Sequence, residues 1–431
     1  MHSFHFRDGR LYCEEVDLAA VAAAHGTPLY VYSAGTVRDH FHRLNSALAG
    51  VAHLVCYAVK ANSNRAVLRL LAQDGAGFDI VSGGELFRVL AAGGDPTLCT
   101  FAGVGKSREE IEYGLDQRVY SFNVESEAEL EYINRIAASK NVRAPIALRV
   151  NPDVEASTHK YISTGKSENK FGIALDRIGD VYAVAARLSN IAIRGVQMHI
   201  GSQITAAQPF RDAVAKITPI VRELKERYAI DFCSIGGGMG IVYRSSLASG
   251  QGSWWKESES DGALTIEEYA AAILPPLQKL DLRVLVEPGR FLVGNAGVLL
   301  TRVRYMKRTA QKEFAIVDAG MNDLIRPALY QSYHEIVPLR EPATGPQRQI
   351  DVVGPVCESG DFFAQDREMP PLEEGDLVAI MSAGAYGFVM ASNYNSRPLP
   401  AEVLVSGERF AVIRERQTNE DLTRGERDAG F

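Results

Sequence analysis

The sequence predicts an α/β barrel of eight β–α units followed by a β-rich domain. Eight short apolar runs between residues 51 and 287 each end in a small, polar or glycine-containing turn, and helical spacing follows. Eight such units over roughly 250 residues is the size of a (β/α)8 barrel of the TIM type. After about residue 290 the helical spacing stops, and short strand-like runs alternate with turns. A doubly wound open sheet also alternates strands and helices. Pattern alone separates the two poorly, and the count of eight favours the barrel.

The runs end, in order, at Tyr57-Ala58-Val59-Lys60, Gly77-Phe78-Asp79-Ile80-Val81, Thr100-Phe101-Ala102-Gly103 and Tyr120-Ser121-Phe122-Asn123-Val124. The second four are Ile146-Ala147-Leu148-Arg149-Val150, Val196-Gln197-Met198-His199, Cys233-Ser234-Ile235-Gly236 and Val284-Leu285-Val286-Glu287. Ser107 with Glu110, Ser126 with Glu129, and Thr265 with Glu268 fit the S/T-x-x-E capping box, and Gly75 and Gly93 fit helix stops. Asn62 and Ser63 read as the start of the helix after the first run. Two connections are long, Asn151 to about Arg194 (with Thr158 to Gly165) and Ser245 to Gly262 (with Trp254-Trp255). Loops of that length in a barrel are usually functional or mobile.

Ahead of the barrel, Val16 to His25 reads as a helix and Leu29-Tyr30-Val31-Tyr32 as an extended piece. Behind it, Val298–Tyr305, Phe314–Asp318, Ile350–Val353, Asp376–Met381 and Ala401–Val405 read as strands of a β-barrel or sandwich, and the charged tail from about Arg414 is expected to fray. The expected domains are thus residues 35–290 for the barrel and 291–431 for the β-rich part, which residues 1–34 join.

At 431 residues the chain exceeds one ordinary domain. A net charge of -7 argues against nucleic acid as a partner. No apolar run approaches the length of a membrane span, and Met1 to Arg7 lacks a signal peptide's apolar core, so no membrane partner is expected. Cys13, Cys56, Cys99, Cys233 and Cys357 lie far apart with no CxxC pair, which suggests neither a disulfide framework nor a metal site. A reducing, cytoplasmic location follows.

A barrel places its site at the C-terminal ends of its strands. Found there are Lys60, Asp79, Asn123, Arg149, His199, Gly236-Gly237-Gly238, Glu287 and Arg290. Each has an ordinary reading: Lys60 can pack its stem and solvate its head, His199 can be a satisfied core histidine, and Glu287 with Arg290 can be a local ion pair. Together they describe more. A lysine at a buried strand end is poorly solvated, and burial lowers an amine's pKa and makes it nucleophilic. The loops after strands 7 and 8 are the usual phosphate site of a barrel, and glycines let backbone N–H groups approach an anion. A Schiff-base lysine, a phosphate cradle, a histidine that can stack on a flat ring and a carboxylate for a ring nitrogen fit pyridoxal 5'-phosphate. Glu287 facing that nitrogen keeps it protonated, which suits decarboxylation.

The sequence resembles the fold-type III, alanine-racemase-like PLP decarboxylases, and within them the diaminopimelate decarboxylases. The likeness runs from Leu29-Tyr30-Val31-Tyr32 to Ala401-Glu402-Val403. It rests on Tyr57-Ala58-Val59-Lys60-Ala61-Asn62, Phe78-Asp79-Ile80-Val81-Ser82, Asn169-Lys170-Phe171-Gly172, His199-Ile200-Gly201-Ser202-Gln203, Gly236-Gly237-Gly238 and Glu287-Pro288-Gly289-Arg290. In the second domain it rests on Asn322-Asp323-Leu324-Ile325-Arg326-Pro327-Ala328-Leu329-Tyr330, Gly354-Pro355-Val356-Cys357-Glu358-Ser359-Gly360-Asp361 and Ala383-Gly384-Ala385-Tyr386-Gly387. Ser82-Gly83-Gly84-Glu85 departs from it, with glycine where many relatives carry arginine.

The resemblance implies that Lys60 forms the internal aldimine, with Asp79 among the cofactor-binding residues. His199 stacks on the ring and Glu287 meets its nitrogen. Ser202, Gly236, Gly237, Gly238 and the Glu287-Pro288-Gly289-Arg290 turn hold the phosphate side, with Tyr386 near it. Arg290, Arg326, Tyr330 and Tyr386 bind substrate, and Glu358 takes its distal amine. Cys357 acts as proton donor or positioning group. Cys357 and Glu358 are implied to enter the partner's site in a homodimer. The implied reaction is decarboxylation of meso-diaminopimelate to L-lysine, the last step of lysine biosynthesis. Two arginines suit a dicarboxylate, whereas ornithine needs none for a distal carboxylate. The alternatives are a decarboxylase of arginine, ornithine or carboxynorspermidine, or a PLP-binding protein without turnover.

Overall fold

Eight parallel strands close on themselves. The computed structural model describes residues 2–154, 170–256, 263–342 and 345–431. The barrel strands are His53–Ala58, Gly77–Ile80, Cys99–Phe101, Ser121–Val124, Ala144–Asn151, Ile191–Met198, Phe232–Ser234 and Arg283–Val286. Each pairs with the next, and the eighth returns to the first through Val284↔His53, Leu285↔Leu54 and Val286↔Val55. Closure excludes the open doubly wound sheet. The strands are predominantly apolar because barrel strands are covered on both faces, and the polar residues within them, such as Asp79, Asn123 and Gln197, are buried. Phe78, Phe101, Phe122 and Phe232 are fully buried on them.

The helices start where their caps stand. Ser107 and Thr265 each form a reciprocal capping box with the glutamate three residues on. Ser126 accepts from Glu129 N, but the Glu129 side chain accepts from Glu125 N instead of closing the box. Gly93 ends its helix in the left-handed region at φ 86°. The helix after the first strand begins at Arg65 and is capped by Asn64, two residues later than the sequence suggests, because Asn62 spends its side chain on Asn64 N. In the connection after the fifth strand the helix Ile178–Ala185 precedes the sixth strand. Its stretch from Thr158 to Gly165 lies outside the described residues.

The chain divides into two compact units, Arg38–Ile241 with Asp261–Leu292, and Met1–Val37 with Val242–Ser260 and Val293–Phe431. The second is built on a sheet in the order Phe362–Met369, Arg348–Val353, Glu313–Val317, Gly297–Arg308, Leu29–Ser33, Ala401–Ser406 and Arg409–Arg414. Leu29–Ser33 sits centrally, antiparallel to Gly297–Arg308 and parallel to Ala401–Ser406. Its alternation separates two cores: Leu29 and Val31 pack with Val298 and Leu300, while Tyr30 and Tyr32 pack with Leu299 and Val303. The tail past Arg414 does not simply fray. Arg416 donates to Pro28 O at 2.7 Å, and Thr418 with Asp421 caps a short helix, Asn419–Leu422. Trp254, in a stretch that reads as a polar loop, is buried against Trp255.

Candidate active site

The first barrel strand stops at Ala58, and one tight turn, Val59–Ala61, carries Lys60. Val59 and Ala61 are buried, which turns the lysine side chain outward to 44% exposure. Lys60 Nζ lies 2.9 Å from Asp79 Oδ2. The register explains the pair, since Asp79 is the cross-strand partner of Ala58. The expectation of a poorly solvated amine is therefore corrected: Lys60 is exposed and ion-paired. Asp79 is the buried member, at 2%, and its Oδ1 has no hydrogen-bond partner among the described residues.

Glu287 follows the eighth strand and is 6% exposed. Ser234 Oγ donates to its Oε1 at 2.6 Å and Gln197 Nε2 to its Oε2 at 2.9 Å. Gln197 and Ser234 face each other across the sixth and seventh strands. Burial, with the charge of Asp79, raises the Glu287 carboxyl to about 7, against the pull of both donors and of Lys60.

The glycine run is wedged between its neighbours. A Cβ at Gly236 would strike Met198 O, one at Gly237 would strike Glu287 O, and one at Gly238 would come within 2.6 Å of Gly201 O. Gly236 and Gly238 also hold φ of 70° and 113°. Gly237 N donates to His199 Nδ1 at 3.2 Å, which leaves the ring proton on Nε2. Burial, then Arg149 and Lys60, hold the His199 pKa well below its usual range, so the ring is neutral. Arg290 is 7% exposed, and its Nη2 donates to Ser202 Oγ at 3.2 Å. Pro288 O accepts from Ala58 N and Gly289 O from Leu292 N, fixing the Glu-Pro-Gly-Arg turn. Arg149 is paired with buried Glu125 at 2.8 Å and lies over the Phe171 ring; Asn169 lies outside the described residues.

The other predicted residues lie in the β-rich unit. Arg326 opens the helix Arg326–Tyr330 and is 5% exposed. It donates to Tyr243 Oη at 2.8 Å, His334 Nε2 at 3.0 Å and Ser332 Oγ at 3.3 Å. His334 in turn donates from Nδ1 to Met381 O. Tyr330 is half-buried at the helix end. Cys357 and Glu358 are exposed on a loop that Asp361 shapes by accepting from Val356 N and Met321 N. Asn395 Oδ1 accepts from Cys357 N at 2.9 Å. Tyr386 is half-buried at φ 56°. At the departure Ser82-Gly83-Gly84-Glu85, Glu85 turns back to accept from Val81 N.

Gln197, Ser234, Glu125, Tyr243 and His334 hold predicted site residues without being singled out in the sequence. For two of them a signal existed. Gln197 is two residues from His199, and Ser234 two from Gly236, so strand alternation puts each pair on one face. Among the described residues no cluster of His, Cys, Asp or Glu could hold a metal ion, and no helix is long and apolar enough to cross a membrane.

Residues 34–294 match the family model of the pyridoxal-dependent decarboxylases, pyridoxal-binding domain. The chain is 51% identical over 427 residues to a diaminopimelate decarboxylase of Pseudomonas aeruginosa, covering 99% of both chains. It superposes on diaminopimelate decarboxylase of Helicobacter pylori complexed with L-lysine, with a TM-score of 0.87 and 40% identity over 95% of this chain and 98% of that one. The diaminopimelate decarboxylase of M. jannaschii in co-complex with L-lysine gives a TM-score of 0.90 at 36% identity, covering 99% and 98%.

Proposed function

Because the chain belongs to the pyridoxal-dependent decarboxylases, we propose that it removes one carboxyl of meso-2,6-diaminopimelate as carbon dioxide and leaves L-lysine. The observation that carries this reading is likeness along the whole chain, at half identity, to diaminopimelate decarboxylases.

The residues present fit the cofactor. A primary amine stands half-exposed beside a buried carboxylate, Asp79, one oxygen of which has no hydrogen-bond partner among the described residues, and a second buried carboxylate, Glu287, is held by two donors. When bound, pyridoxal phosphate supplies an electron sink for the pair released as the carbon–carbon bond breaks. Lys60 Nζ is the attachment point, and Asp79 orients it. Neutral His199 offers a flat face without a competing charge. Glu287, as a carboxylate, would accept a hydrogen bond from a protonated ring nitrogen, and opposite charge there would favour its ionised form. Ser202, the glycines and the Glu-Pro-Gly-Arg turn hold the phosphate side.

On the substrate side, Arg290 and Arg326 hold carboxylates, Tyr330 and Tyr386 line the substrate, and Glu358 pairs with the distal ammonium. Cys357 delivers or positions the proton that replaces the carboxyl. Exposed Cys357 and Glu358 are assigned to the partner's site in a cytoplasmic homodimer. The domain limits assigned to these roles are 35–290 and 291–431, with 1–34 joining the latter, except that Val242–Ser260, inside the first span, groups with the β-rich unit.

The test is carbon dioxide release by purified, PLP-loaded protein from meso-diaminopimelate, ornithine, arginine and carboxynorspermidine. Release from one of the last three with none from diaminopimelate refutes the substrate. Loss of the cofactor's visible absorbance band in Lys60→Ala checks the attachment point.

A further inference from the structure

Glu287 is buried at a position where both its charge and its direction matter. Each of its two oxygens already receives one hydrogen bond. Ser234 is fully buried, and its hydroxyl proton goes to Glu287 Oε1 at 2.6 Å. The same Oγ accepts from Gly236 N at 3.3 Å, so the hydroxyl is polarised toward the carboxylate and cannot easily rotate. Gln197 is 2% exposed and gives Nε2 to Oε2 at 2.9 Å, while its own Oε1 is buried with no hydrogen-bond partner among the described residues. An amide that leaves its carbonyl unsatisfied has been oriented by its stronger contact, the charge-assisted bond to Glu287. Both donors come from the strand neighbours on the same side, the sixth and seventh, and Ser234 faces Gln197 in register. The backbone closes the arrangement, since Glu287 N donates to Gly236 O.

We propose that Gln197 and Ser234 are positioning residues that keep Glu287 an acceptor-only carboxylate, directed at the ring nitrogen of the bound cofactor. The inference rests on the cofactor assignment above. It adds which side chains decide where the shared proton resides. With both donors in place the proton stays on the ring nitrogen. With either removed, the carboxyl retains it and the nitrogen loses its charge.

Other groups facing Glu287 cannot replace this pair. Asp79, from the second strand, disfavours the carboxylate, and Lys60 favours it but already pairs with Asp79. Cys56 on the first strand and Tyr269 on the helix Ile266–Gln278 sense the Glu287 charge, and burial raises both far from titration near neutrality. Without the donors, burial and Asp79 act on Glu287 with only Lys60 opposing them.

The experiment compares the wild type with Gln197→Leu, Ser234→Ala and the donor-retaining Gln197→His and Ser234→Thr, all full-length. Side-chain carboxyl 13C NMR follows Glu287 in cofactor-free protein, its resonance assigned by loss in Glu287→Gln. The 15N shift of ring-labelled pyridoxal phosphate follows nitrogen protonation in loaded protein. We expect each donor deletion to move the Glu287 midpoint upward by about one pH unit and to deprotonate the ring nitrogen at neutral pH. The loss in kcat is expected to be tenfold to a hundredfold, with KM nearly unmoved. The donor-retaining variants should return toward wild type. If a deletion variant does not fold, its donor-retaining partner must still show the wild-type midpoint. Wild-type midpoint and ring-nitrogen shift in both deletion variants overturn the proposal. Neither spectroscopic readout uses a substrate, so failure of the substrate assignment leaves this test intact.

Discussion

Glu287→Gln is expected to make the cofactor-free protein more stable at alkaline pH while nearly abolishing turnover. Glu287 is 6% exposed, and its carboxyl is raised from 4.5 to about 7, burial being the largest cause. The folded state therefore binds this proton more tightly than the unfolded state. The stability that this group contributes is fully present below pH 4.5 and is lost as pH climbs through 7. The interval corresponds to about 3 kcal/mol. An amide has no such loss, and it fits the site: its oxygen still accepts from the Ser234 hydroxyl, and its nitrogen can donate to Gln197 Oε1, which has no hydrogen-bond partner among the described residues. Urea unfolding at pH 5 and pH 8.5 measures the difference. The variant should lie within about 1 kcal/mol of wild type at the acidic end and exceed it by about 3 kcal/mol at the alkaline end. Using the difference cancels other raised carboxyls, such as Glu85 and Asp323. A gap that is the same at both pH values refutes the reasoning. Loaded with cofactor, the variant should lose at least about a hundredfold in kcat, because the amide cannot balance a charged ring.

Arg326→Lys should raise KM for meso-diaminopimelate by about tenfold or more with a smaller effect on kcat, since an ammonium cannot keep the contacts to Tyr243, His334 and Ser332 while forking a carboxylate; steady-state kinetics with an unchanged KM would contradict the role. Gly237→Ala should cost about 2 kcal/mol or more in unfolding free energy and weaken cofactor affinity, because the new Cβ meets Glu287 O. Equilibrium unfolding and cofactor titration both report it, and wild-type values in both would show that the backbones can part. Cys357→Ala should lower kcat by more than it weakens cofactor binding, and activity should reappear when its subunits exchange with those of Lys60→Ala. No recovery despite demonstrated exchange would count against shared sites.

Much of the fold is legible because its signals are local. A barrel strand needs a mostly apolar run, the run repeats eight times, and caps such as Ser107 and Thr265 mark several of the helices between, so the runs ending near Lys60, Asp79, His199 and Glu287 can be found by inspection. The same locality limits the reading. The Arg409–Arg414 strand holds a short apolar run, Phe410-Ala411-Val412-Ile413, between two arginines beside a charged tail, and its ladder to Ala401–Ser406 is what makes it a strand. Leu29–Ser33 is fully buried because two strands from the far end of the chain flank it.

Residue identity by itself determined the chemistry on offer: an amine, two carboxylates, an imidazole and a glycine run at the ends of parallel strands. Tertiary structure alone decided the state of each group. Lys60, expected to be desolvated, is exposed and paired, because the neighbouring strand brings Asp79 into register with Ala58. Glu287 is buried and clamped, because Gln197 and Ser234 converge on it from adjacent strands. Burial and hydrogen bonding set protonation, and both depend on which strands lie side by side, which no local pattern encodes.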